Sequence, residues 1–116
     1  HRWRKAIDRK FMVNSGDPEF LDFVQRRDPL QERQIPLEWI GAMKHWAEEL
    51  QRLPPSPHPV IVVQGDADTT LDWRYNLRLL HNKLPNGRFH LVPGAQHHLV
   101  NEAAPVRAQV FASLGF

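Results

Sequence analysis

Two carboxylates and two imidazoles stand just past the ends of two apolar runs. Val60-Ile61-Val62-Val63-Gln64-Gly65 leads into Asp66-Ala67-Asp68, and Phe89-His90-Leu91-Val92-Pro93-Gly94 leads into Ala95-Gln96-His97-His98. A carboxylate that accepts from an imidazole Nδ1–H fixes the tautomer of the ring. It leaves Nε2 free to take a proton from a nucleophile. Such a pair is two thirds of a nucleophilic triad. The remaining third has no candidate here. The serines are Ser15, Ser56 and Ser113, and none stands in a Gly-x-Ser-x-Gly turn between a strand and a helix. Position along the chain leaves open whether Asp66 or Asp68 is the acid, and whether His97 or His98 is the base.

The elements that must position these residues follow from pattern. Val60–Val63 is a continuous β-branched run, the mark of a strand covered on both faces in a parallel sheet. Asp72 is placed to cap a helix over about 73–84, with Tyr75, Leu77, Leu80 and Leu84 inward, and Pro85-Asn86-Gly87 closes it. Phe89–Val92 predicts a second strand, and Ala104–Leu114 a last helix with Val106, Val110, Phe111 and Leu114. Asn101 and Glu102 are expected to cap that helix. The order β-α-β-α implies parallel strands joined by a right-handed crossover. In open α/β sheets, functional groups gather beyond the carboxyl ends of the strands, where both turns fall. Two strands do not make a stable buried sheet, so Val60–Val63 calls for further neighbours. These would come from a longer parent chain or from a second copy.

Upstream, Trp3, Ile7 and Phe11 are spaced by four among Arg2, Arg4, Lys5, Arg9 and Lys10, which predicts a basic amphipathic helix over 2–13. Asp17 and Pro18 predict the start of another helix, bearing Phe20, Leu21, Phe23 and Val24 and ending near Arg27-Asp28-Pro29. The longest predicted helix spans about 36–53. Trp39, Met43, Trp46, Leu50 and Leu53 line one side of it, widened by Ile40 and Ala47, and the expectation is a face packed in the core. Pro54-Pro55-Ser56-Pro57-His58-Pro59 is a stiff connector. It divides the chain into a helical part, 1–53, and an α/β part, 54–116.

Composition narrows the classes of function. A chain of 116 residues is enough for one modest domain, with four Trp and six Phe as core material. The absence of Cys excludes disulfides, thiolate metal sites and a Cys nucleophile. His58, His81 and His90 are scattered without metal-ligand spacing, so neither a metal nor a cofactor is expected. A net charge of +2 is too weak for a nucleic-acid footprint. No apolar run approaches the ~20 residues of a membrane span. No signal peptide is recognisable, and the cytoplasm is the expected compartment. The opening at His1, directly in helix-like sequence, suggests the interior and tail of a longer protein.

Gly65-Asp66-Ala67-Asp68 and Gly94-Ala95-Gln96-His97-His98-Leu99-Val100-Asn101-Glu102 resemble the acid and histidine motifs of the α/β-hydrolase superfamily. The branch they resemble is that of lysophospholipase and monoacylglycerol-lipase-like serine hydrolases, grouped with serine aminopeptidases. Asp72-Trp73-Arg74-Tyr75-Asn76-Leu77 resembles the opening of the helix after the acid loop in this branch. The resemblance covers roughly 54–116. It implies an α/β fold of which this chain is the C-terminal part, with 1–53 as a lid-like helical segment and the helix leading into the core. Carried over, the last residue of Gly-x-x-Asp is the triad acid, Asp68, and the third residue after Gly94 is the base, His97. The implied parent cleaves carboxylic esters, of lipid or lysophospholipid type, through an acyl-serine intermediate. The nucleophile elbow and oxyanion segment of the family are absent, so this chain alone should not turn over an ester. An Asp nucleophile, as in dehalogenases and epoxide hydrolases, would leave the same acid and histidine motifs. A non-catalytic module that self-associates through its unpaired sheet is the alternative from another class.

Overall fold

The computed structural model describes residues 5–116. The catalytically suggestive part is a β-α-β-α unit. Strand β3 (Ile61–Gly65) and strand β4 (Arg88–Val92) pair in parallel, with Ile61 opposite Arg88 and Gly65 opposite Val92. Helix α3 (Trp73–Lys83) makes the crossover, and helix α4 (Ala104–Ser113) follows β4. Equal register brings both strands to their carboxyl ends at the same level, which sets the acid and histidine turns side by side. The buried core lies there: Val92, Ala95 and Val110, with Val63, Leu99 and Val106 packed against them.

Local chemistry explains the helix starts. The Asp72 carboxylate accepts from the Tyr75 N–H and caps α3. Asp17 accepts from the N–H groups of Glu19 and Phe20, with Pro18 at the first position, opening helix α1 (Pro18–Asp22). That helix widens into a π-turn over Phe23–Arg27 and stops at Asp28, whose extended backbone suits the residue before Pro29. Lys83 Nζ donates to the carbonyls of Gln51 and Leu53, so α3 caps the end of helix α2 (Leu37–Arg52) with a cation.

Several expectations are corrected. The predicted helix over 2–13 is instead a short strand β1 (Ala6–Asp8), antiparallel to β2 (Gln34–Pro36), with Ile7 facing Ile35. Residues 2–4 of that segment lie outside the described residues. Spacing by four fits one face of a helix and one face of a strand equally, so Ile7 and Phe11 could not tell them apart. The pairing also takes Pro36 into β2, so the helix starts at Leu37.

The larger correction concerns burial. Helix α2 forms, but none of its residues is buried, and Trp39 and Trp46 are 56% and 63% exposed. Strand β3 is not covered on both faces either: Ile61 is exposed, and Val62 and Val63 are half-buried. Tyr75, Phe111 and Leu114, expected inward, are exposed as well. The described structure is 19 Å through its shortest axis, and each sheet has two strands. So thin a body has too few layers to cover these faces.

Candidate active site

The acid turn and the histidine turn are locked together by backbone. Gly65 lies so close to the next loop that a Cβ there would sit 2.5 Å from the carbonyl carbon of Ala95 and 2.7 Å from the oxygen of Gln96. Only glycine permits that approach. The Ala67 N–H donates to the Ala95 carbonyl at 3.0 Å, and the Asp66 N–H to that of Val92 at 3.3 Å. Gly94 has φ of 74°, a left-handed turn natural to glycine, and its N–H donates to Asp66 Oδ1 at 2.8 Å. Asp66 therefore staples the two turns and is not the partner of an imidazole.

Asp68 is that partner. Its Oδ2 lies 3.0 Å from His97 Nδ1. The same oxygen accepts from Gln64 Nε2 at 3.1 Å, while Oδ1 accepts from the N–H groups of Thr70 at 2.8 Å and Leu71 at 3.2 Å. The residue is 7% exposed. Burial alone would raise its pKa, but the hydrogen bonds from His97, Thr70, Gln64 and Leu71 outweigh it and hold the carboxyl below its ordinary value. The carboxylate is thus ionised at neutral pH and can only accept. Nδ1 of His97 must then carry a proton, so in the neutral ring the lone pair falls on Nε2. A third of the His97 side chain is open to solvent, so the ring is reachable from one side while its other side is held.

His98 faces elsewhere. It packs against Phe20 of α1, with ring centroids 5.4 Å apart. Desolvation lowers its pKa, and the charges of His97 and Arg9 lower it further, so it favours the neutral form. Each of the three serine hydroxyls is engaged in a hydrogen bond with the backbone. Ser15 Oγ donates to the Asn101 carbonyl, Ser113 Oγ donates to that of Gln109, and Ser56 Oγ accepts from the His58 N–H.

Glu102 is a residue whose place sequence reasoning missed. It does not cap α4, whose N-cap position is Ala103. Its carboxylate is buried and accepts from the N–H groups of Gln96 at 2.6 Å and Gly16 at 2.7 Å. Its distance of six positions from Gln96 fits no local capping pattern, so no sequence signal pointed to it. Among the described residues, no group of three or more His, Asp or Glu side chains is arranged to hold a metal ion, and no helix is long and apolar enough to cross a membrane.

No family model matches the chain, and no curated protein does. Among solved structures, the crystal structure of the Paleococcus ferrophilus monoacylglycerol lipase is similar, with a TM-score of 0.67 and 19% sequence identity. The match covers 96% of this chain and 46% of the lipase, so the chain spans about half that protein's length. At this identity the likeness is one of fold. The mixed α/β structure shares its fold with part of that lipase.

Proposed function

We propose that this chain is the C-terminal portion of an α/β-hydrolase of the monoacylglycerol-lipase-like type, supplying the acid Asp68 and the base His97 of a Ser-Asp-His triad. The observation that carries the reading is the 3.0 Å contact of His97 Nδ1 with a buried, four-times hydrogen-bonded Asp68. In the reaction, Nε2 of His97 takes the proton of a serine hydroxyl as its oxygen attacks the ester carbonyl. The imidazolium then returns that proton to the leaving alcohol, and an acyl-serine remains. Water, deprotonated by the same Nε2, releases the carboxylic acid and regenerates the serine. Asp68 stays ionised and stabilises the imidazolium.

The serine and the oxyanion donors belong, on this reading, to sequence preceding the segment. Two features support that division: the match to about half of a lipase, and the exposed apolar faces of α2 and β3. The substrate class is a carboxylic ester, of lipid or lysophospholipid type, and no cofactor is required. To test it, the protein is expressed with its preceding coding sequence and assayed on short-chain esters. A Gly-x-Ser-x-Gly turn in that sequence, labelling of its serine by a fluorophosphonate, and loss of both turnover and labelling in His97→Ala are expected. An upstream region lacking the elbow, or full activity in His97→Ala, defeats the reading.

A second reading is favoured by the exposure of Trp39, Met43 and Trp46 on one face of α2. The chain would then be a non-catalytic α/β module that pairs with another copy of itself. Light scattering separates the two, because a well-dispersed monomer counts against obligatory pairing.

A further inference from the structure

Among the described residues, Glu102 is the largest fully buried side chain, at 1% exposure. A carboxylate removed from water needs compensation. Among the described residues this one has no salt-bridge partner. Its compensation is two short charge-assisted hydrogen bonds to backbone N–H groups from distant parts of the chain. Oε1 holds Gln96, the residue directly before His97, and Oε2 holds Gly16, just ahead of α1. Two further bonds run alongside: the His98 N–H donates to the Asn14 carbonyl at 2.8 Å, and Ser15 Oγ donates to the Asn101 carbonyl at 2.7 Å. The Ser15 hydroxyl also accepts from the Asp17 N–H. The histidine loop is therefore gripped on its far side by residues 14–17, with the Glu102 carboxylate as the bridge.

We infer that Glu102 is a positioning residue for His97, fixing the backbone from which the imidazole reaches Asp68 and tying that placement to the segment that opens α1. The inference rests on the reading of His97 as the base. Asp68 orients the ring at Nδ1, and Glu102 fixes where the ring is mounted. Neither alone sets the position of Nε2. Because Gly16 and Gln96 share one carboxylate, displacement of the α1 entry is felt at the base.

The test is by NMR, so that it does not depend on turnover. In Glu102→Gln the carboxamide offers one acceptor oxygen, and its NH2 confronts the other N–H group. Amide exchange at whichever of Gln96 and Gly16 confronts the NH2 is expected to speed up by about tenfold or more, the scale of one lost charge-assisted hydrogen bond. The downfield resonance of the His97 Nδ1–H bonded to Asp68 is expected to broaden or vanish, while the Gln64, Thr70 and Leu71 side of Asp68 stays intact. Gly16→Ala perturbs from the other end, since its Cβ would meet Glu102 Oε2 at 2.8 Å. It should move the same His97 resonance, and it decides the matter if Glu102→Gln does not fold. Faster exchange at Gln96 with an unchanged His97 resonance overturns the inference, as does the lack of that resonance in the unsubstituted protein. Loss of the resonance in a protein with no esterase activity supports the clamp while defeating the proposed reaction.

Discussion

His97 Nδ1 and Asp68 Oδ2 stand 3.0 Å apart although 29 positions separate them in sequence, and the carboxylate is already committed to three other donors. Replacing Asp68 therefore has two separable consequences. Asp68→Asn keeps the shape, but an amide NH2 in place of Oδ2 accepts from neither His97 nor Gln64, and the wrong tautomer of His97 is favoured. In the proposed hydrolase, kcat is expected to fall by about 10⁴-fold, with KM little changed. His98→Ala should leave kcat within a few-fold. Steady-state ester hydrolysis checks both, and equal losses at His97 and His98 would contradict the assignment.

The same substitution bears on stability through pH. The folded pKa of Asp68 is depressed, so its contribution is fully present above the unfolded value of about 3.9. It is lost as pH falls through the lower, folded value. His98 has a depressed folded pKa for another reason, desolvation before the charges of His97 and Arg9. Its contribution is complete above about 6.5 and declines as pH falls from there through its folded value, because the unfolded chain binds the proton more readily. Denaturant midpoints measured across pH should show both slopes. Asp68→Asn should flatten the acidic one, and His98→Gln the one beginning near neutrality.

The meeting of the acid turn with the histidine turn was legible because both motifs end strands, and parallel strands in equal register deliver their turns to one edge; the choice of Asp68 and His97 within those turns came from the motif resemblance. Asp72 and Asp17 were legible as caps because capping is local. The sheet edge formed by Ile7 and Ile35 was not, since a spacing of four satisfies either period. Nor was the exposure of Trp39 and Trp46: periodicity reveals that a helix has an apolar face and says nothing of what covers it. Glu102 escaped for a related reason. Its partners, Gln96 and Gly16, are backbone groups, which carry no mark in the side-chain sequence.

Gly65→Ala tests whether the two turns depend on close approach. The added methyl would meet the Ala95 and Gln96 backbone, which cannot swing aside as a side-chain tip can. The turns must part, weakening the Ala67-to-Ala95 and Gly94-to-Asp66 hydrogen bonds together. A loss of about 1–3 kcal/mol is expected from urea denaturation, the usual scale of overpacking. A matched Gly41→Ala should not destabilise, because a Cβ at Gly41 meets nothing within 4 Å and the residue lies in helix α2. Similar destabilisation at both positions would refute the close-approach argument.

The apolar face of α2 separates the two functional readings by the sign of one measurement. Trp46 is mostly exposed in the described structure, so Trp46→Ser in the 116-residue chain should change monomer stability by only about 0.5 kcal/mol. If the face is covered by preceding sequence of a hydrolase, the same change in the longer protein removes a buried indole. It should then cost about 3–5 kcal/mol. If the face is covered by a second copy, the change should instead dissolve a dimer of the short chain, seen as a halved mass in sedimentation, with no added cost in the longer protein. Trp39→Ser, seven positions earlier and so nearly two turns along the same face, should repeat whichever pattern holds. A large loss in the longer protein with an unaltered monomeric short chain favours the hydrolase, because only a folded partner segment can turn a solvent-facing tryptophan into a core one.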